Sequence, residues 1–269
     1  MSSLYNQPPA PASKHSVALY VTYLHVHKNL AASTIRSRLS AISYFHKIND
    51  LVIPTNSYTI SKLLSSYAKD SPRVTLQRKP ISYNLLCNLL HGIYVYPHSR
   101  YDSIMFRALF ILMYEAALRI SEVTFSKYND HNIQVDQVKA SKHSIVITFI
   151  SFKHSPASPY KVLIPSNTSK SCPVKLYHKY LSVRKPGPGP VFLQANGKPL
   201  TSAFVTRSLK SFLRVLNLNT DCYNTHSFRI GKATDLAISG YSDSNIALIG
   251  RWKSDAFKKY LKPDTVKTS

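Results

Sequence analysis

Apolar residues recur along this chain with two different periods. Over residues 14–70 they return every three or four positions, as on one face of an α-helix. The first such run, HSVALYVTYLHVHKNL, follows a Pro- and Ser-rich segment, 1–13, that reads as disordered. The second, TIRSRLSAISYFHKIND, has Ser33 as its expected cap and places Ile35, Leu39, Ile42 and Phe45 on one face. A third covers TISKLLSSYAKD, and Pro54 and Pro72 punctuate the region. The pattern predicts a small all-helical domain over 14–70.

Residues 71–80, SPRVTLQRKP, carry three cationic side chains, two Pro and no acid, and read as a basic linker. A second domain is expected over 81–269. It opens on ISYNLLCNLLHGI, a helix with Ser82 as cap, and continues in one long helix over 101–128. The period then switches. SIVITFISF, 144–152, is rich in β-branched and aromatic residues and reads as a strand. YKVLIP is its expected hairpin partner, with KHSPASP as the turn. Helices return in CPVKLYHKYLSVRK, TSAFVTRSLKSFLRVL, HSFRIGKATDLAISG and SDAFKKYLK, with Ser202, Thr225 and Ser254 as expected caps and Gly240 as a stop. VFLQANGKPL suggests a short strand and turn. The fold class expected is mostly α with a small β-sheet: a helical first domain, then a mixed α+β domain.

Charge changes the picture from fold to partner. The 269 residues hold 35 Lys and Arg against 12 Asp and Glu, a formal net charge of +23. Such self-repulsion calls for a polyanion to oppose it, and a nucleic acid is the first candidate. The only two Glu are Glu115 and Glu122, and no acid lies between Asp136 and Asp221. Two-metal phosphodiester chemistry needs several converging carboxylates, so cationic side chains are expected to do that work, with no metal or other cofactor. Three scattered cysteines form no CxxC pair, which argues against structural zinc and for a reducing, intracellular setting. The opening MSSLYNQPPAPASKH lacks an apolar leader, and 104–118 is too short and too charged to span a bilayer, so no membrane is expected.

Candidate chemistry lies in five places. Arg119 stands near the end of an apolar run with Glu122 three residues on, close enough to orient it. His226 and Arg229 share the spacing that puts an imidazole and a guanidinium on one helix face. Lys153 sits at the hairpin tip, where an ammonium can reach outward. Trp252 is the only Trp, and Tyr260 lies in the last expected helix. Each has an ordinary structural explanation alone: a buried ion pair, a surface His, a turn Lys, one Tyr among 18.

Their order is what carries information. ALRISEV, a hairpin Lys, THSFRIGKAT and GRWKSDAFKKYL in that sequence resemble the motif set of the tyrosine recombinase or phage integrase family. The ending is most similar to recombinases of eukaryotic mobile elements, DIRS-like retrotransposons and Cryptons. The resemblance covers about 14–263. It implies that 14–70 is a core-binding domain and 81–269 a catalytic domain acting on double-stranded DNA, as a tetramer, in a nucleus. It also implies roles. Arg119 and Arg229 hold the phosphate, Glu122 holds Arg119, and His226 assists the nucleophile Tyr260. Lys153 protonates the leaving oxygen. Many relatives carry His or Trp nine residues before the tyrosine; here Arg251 is at nine and Trp252 at eight. The role is assigned to Trp252, with Arg251 as the alternative. A topoisomerase of related chemistry and a non-catalytic DNA-binding protein are the competing expectations.

Overall fold

The computed structural model describes residues 11–70, 78–95, 99–126, 131–150, 159–252, 257, 258 and 261. Most of the 1–13 segment and of the 71–80 linker, the hairpin tip with Lys153, the cap Ser254 and the nucleophile candidate Tyr260 lie outside them. Chain contacts divide the molecule into two compact units, Met1–Thr75 and Leu76–Ser269.

Among the described residues the first unit holds three α-helices, α1 (Lys14–Val26), α2 (Ala32–Ile48) and α3 (Tyr58–Asp70), and a short 3-10 turn at Pro54–Asn56. Their apolar stripes meet in a core of Val17, Val21, Leu24, Ile35, Leu39, Ile60 and Leu64. Ser13 caps α1 by accepting the Ser16 N–H at 3.0 Å. On α2 the expected face turns partway round. Helix α2 begins behind Ala31 rather than Ser33, and Phe45 is exposed while His46 is buried. The imidazole is satisfied inside the helical stripe because its Nε2 accepts the Ala12 N–H at 3.0 Å and its Nδ1 donates to the Ile42 carbonyl at 2.8 Å.

The second unit is mostly helical with one small sheet. Helices α4 (Tyr83–Val95) and α5 (Arg100–Glu115) open it, and every residue of α5 from 104 to 114 except Arg107 is buried. A helix apolar all round must be enclosed, and α5 is packed by α4, by α7 (Pro173–Leu181) and by α9 (Ser227–Ile238). Strands β1 (Val138–Ala140), β2 (Ser144–Phe149) and β3 (Tyr160–Pro165) form an antiparallel sheet in the order β1-β2-β3. The pleat sends Ile145, Ile147 and Phe149 inward, opposite Ile164, Val162 and Tyr160. The hairpin matches expectation, while β1 was not foreseen; three residues are too few to show a period.

Helix α8 (Ser202–Val215) is capped by Thr201, not Ser202, through the Phe204 N–H. Helix α9 is preceded by His226, not Thr225, at its N-cap. It ends as expected at Gly240, with Gly240 N–H on Ala237 and Tyr241 N–H on Leu236. Gly231 brings α9 onto the backbone before α4, since a Cβ there would stand 1.8 Å from the Ile81 carbonyl oxygen. Asp235 secures the same face, accepting the Tyr83 N–H at 2.7 Å and the Tyr114 hydroxyl. A further helix, α10 (Asp243–Gly250), is not predicted by apolar spacing, because eight residues give too little periodicity to stand out. Among the described residues no helix is long and apolar enough to cross a membrane.

The long helix expected over 101–128 is broken. Helix α5 stops at Glu115, and Ala117 takes a left-handed conformation at φ 44°. Ala117 N–H bonds Tyr114 at 3.0 Å and Leu118 N–H bonds Met113 at 2.9 Å, so the chain turns sharply out of the helix. A one-turn helix, α6 (Ile120–Val123), follows. This break turns the carbonyls of Ala116 and Ala117 toward the guanidinium groups of Arg229 and Arg251.

Candidate active site

Four chain segments meet in the second unit: the turn after α5, the start of α6, the start of α9 and the end of α10. The turn after α5 leaves the carbonyls of Ala116 and Ala117 at a helix C-terminus, where the backbone dipole favours cations. Three guanidinium groups gather around them.

Arg119 is the N-cap residue of α6, and Glu122 is at its third position. The carboxylate takes the Arg119 backbone N–H at 2.8 Å on Oε2 and the Arg119 Nη1 at 3.0 Å on Oε1. The expectation of two side chains on one face of a continuous helix is therefore corrected. Glu122 holds Arg119 from inside a new helical turn, by main chain and side chain together. Glu122 is buried, while the Arg119 side chain keeps 25% of its exposure.

Arg229 lies in the first turn of α9 and is 1% exposed. Its Nη1 donates to the Ala117 carbonyl and its Nη2 to the Gly250 carbonyl at 2.8 Å. Trp252 covers it, with the guanidinium carbon 4.6 Å from the ring centroid. The indole folds back over Gly250, where any Cβ would fall 1.6 Å from a ring carbon.

His226 precedes Arg229 by one turn. Burial pushes its pKa down to about 4, and the charges of Arg229, Arg78 and Arg119 push the same way. The imidazole is therefore neutral at pH 7. Arg78, a member of the basic segment read only as linker, belongs to the electrostatics of this site.

Arg251 sits in a left-handed conformation at φ 54°, closing α10. Its N–H bonds Leu248 at 3.1 Å and the Trp252 N–H bonds Ala247 at 2.9 Å, which reverses the chain and turns the Arg251 side chain inward. There it donates to Glu122 Oε2 at 2.8 Å, to the Ala116 carbonyl at 2.9 Å and to Ala117 at 3.4 Å. Its guanidinium lies 4.0 Å from the centroid of the Phe149 ring, and Tyr160 of β3 donates to the Leu248 carbonyl at 2.9 Å. The sheet thus supports the end of α10.

Of the residues singled out by sequence, Arg119, Glu122, His226, Arg229 and Trp252 come together. Lys153 and Tyr260 fall outside the described residues. Arg251 was noticed by its spacing alone; its inward role had no sequence signal, since its partners lie up to 135 positions away. Among the described residues the cluster offers three guanidinium groups and one carboxylate that two of them already occupy. A divalent cation is poorly served by that set; a phosphate is well served, because guanidinium forks match its oxygens.

The profile of the phage integrase family matches residues 88–264 of the chain. The tyrosine recombinase XerC of Rickettsia typhi is 26% identical over 238 residues, covering 87% of this chain and 70% of that protein. The protein of the same name from Rickettsia prowazekii is 25% identical over 237 residues, with the same coverage. Among solved structures, XerH recombinase bound to palindromic difH substrate superposes with a TM-score of 0.65 at 13% identity, covering 94% of this chain and 69% of that one. The Tn1549 transposon integrase in complex with circular intermediate DNA gives 0.61 at 15% identity, covering 97% and 86%. XerA recombinase gives 0.54 at 15% identity, covering 99% and 85%. These structures share the fold.

Proposed function

This chain belongs to the phage integrase family, the tyrosine recombinases, and we propose that it is a site-specific recombinase that breaks and rejoins double-stranded DNA through a 3′-phosphotyrosyl link at Tyr260. The observation that carries the reading is the convergence of Arg119, His226 and Arg229 on one helix-end cluster, although 107 and 110 positions separate the last two from the first. The ending GRWKSDAFKKYL favours a mobile element of the DIRS-like or Crypton kind, hence a nuclear setting and a tetramer assembled on DNA. The helical unit before residue 71 supplies the core-binding domain, and 81–269 the catalytic one.

The chemistry follows from charge. When the Tyr260 oxygen attacks a backbone phosphorus, negative charge grows on the two non-bridging oxygens. Arg119 and Arg229 hold those oxygens, and fixed donors of this kind stabilise the developing charge without reorganising. Neutral His226 accepts the phenolic proton. Lys153 protonates the departing 5′ oxygen. Reversal by a 5′ hydroxyl of another strand releases the tyrosine and restores the phosphodiester.

The test is covalent trapping on a nicked suicide duplex. The expected product is a protein–DNA adduct that survives denaturation and is absent in Tyr260→Phe. An adduct that persists in Tyr260→Phe removes this tyrosine from the scheme.

A further inference from the structure

Resting on that reading, we propose that Arg251 is a positioning residue for Arg119: it holds Glu122 and the turn after α5 from within, rather than touching the phosphate itself. The position nine residues before Tyr260 invites assignment as a phosphate ligand. The geometry points elsewhere. The Arg251 side chain is as buried as Arg229, but unlike Arg229 it is ion-paired with a carboxylate, Glu122, in addition to bonding two main-chain carbonyls.

Two of those bonds, to Glu122 and to the Ala117 carbonyl, bear on Arg119 or Arg229. Glu122 Oε2 takes Arg251 Nη2 and the Arg119 backbone N–H, while Oε1 takes Arg119 Nη1. The Ala117 carbonyl takes both Arg251 and Arg229. The Arg251 carbonyl in turn accepts Arg119 Nη2 at 3.3 Å. Arg251 therefore grips Arg119 from two sides, through the carboxylate and through its own main chain.

Charge gives this arrangement a consequence beyond shape. One buried carboxylate divides between two guanidinium groups, so Arg119 is oriented without being cancelled. With a neutral side chain at 251, Glu122 opposes Arg119 alone and the pair carries no net charge toward an incoming phosphate. The backbone supports the same conclusion. A non-glycine residue at φ 54° is strained, and the inward bonds of the Arg251 guanidinium offset that strain. Lysine can meet the carboxylate, but its single ammonium lacks the planar fork whose two Nη atoms reach Ala116, Ala117 and Glu122 while the guanidinium carbon stays 4.0 Å from the Phe149 centroid.

The experiment measures trapping rate and duplex affinity for the wild type, Arg251→Met, Glu122→Gln and the double variant. Arg251→Met is expected to trap about a hundredfold more slowly while duplex affinity changes about twofold or less, since affinity is spread over many phosphates. Adding Glu122→Gln to Arg251→Met restores the positive balance and is expected to recover about tenfold of the rate, a coupling that loss of packing does not produce. Should Arg251→Met fail to fold, Arg251→Lys keeps the charge and loses the fork, with an expected slowing of about tenfold. An Arg251→Met or Arg251→Lys variant as fast as the wild type overturns the proposal, as does a double variant slowed by the full product of the two single effects. A wild type that forms no Tyr260-dependent adduct instead overturns the recombinase reading on which this rests.

Discussion

Two kinds of buried arginine occur in the second unit, and their partners differ in origin. Arg184, at the end of α7, donates to the carbonyls of Lys185, Gly187, Pro190 and Val191 at 2.8–3.1 Å. Every one of these lies within seven residues of it. The guanidinium shapes the PGPGP turn around itself and is a local device. Arg229 and Arg251 also bond carbonyls, but theirs come from the ends of other helices more than a hundred positions away, or from α10. Beside them stand a partly exposed Arg119 and a neutral His226. A buried arginine served by its own loop builds structure. Buried arginines served by several helix ends, next to an exposed one, build an anion site.

The largest effect that sharpens this contrast is expected from Arg229→Lys. Losing the fork on a charge-developing oxygen should cost about 3–4 kcal/mol of transition-state stabilisation, or two to three orders of magnitude in trapping rate. Duplex binding should persist. The only Trp of the chain lies on this arginine, so its fluorescence reports engagement separately from chemistry. Arg184→Met should do the opposite. It takes the guanidinium donor from the carbonyls of Lys185, Gly187 and Pro190 and leaves Val191 only the Tyr180 hydroxyl, lowering unfolding free energy by about 3 kcal/mol. The trapping rate per folded molecule should match the wild type. If Arg184→Met slowed chemistry as much as Arg229→Lys, the distinction between the two sites would collapse.

The smallest expected effect concerns pH. The pKa of His226 is held near 4 in the fold, against about 6.5 for an unperturbed imidazole. Between those values the unfolded chain binds a proton that the folded chain refuses. Stability therefore rises with pH across this window: it is full above about 6.5 and lost as pH falls toward 4. His226→Gln removes this contribution, so its melting temperature should fall less steeply between pH 6.5 and pH 4.5. Equal slopes for the two proteins would show that His226 is not held neutral.

Much of the architecture was legible because it rests on local periods. The three helices of the first unit, the β2–β3 hairpin, the Gly240 stop and the run of α5 all followed from spacing and composition. The errors fall where the main chain leaves its local preference. Alanine at 117 and arginine at 251 both adopt positive φ, a conformation neither side chain signals. The break at Ala117 moved Arg119 out of a long helix and into the cap of a short one. The turn at Arg251 sent inward a side chain that its charge would place in solvent. Helix α10 was too short to announce itself.

Sequence alone determined the inventory: the excess of cations, the scarcity of carboxylates with only two Glu, and an ordered set of Arg, Glu, His, Arg and Trp. Those are properties of residue types and their succession, and no folding is needed to read them. The tertiary structure decided which guanidinium is exposed, which are buried, and that His226 is uncharged. Those outcomes depend on desolvation and on carbonyl partners brought from distant helix ends. Neither term exists until the chain has closed around α5.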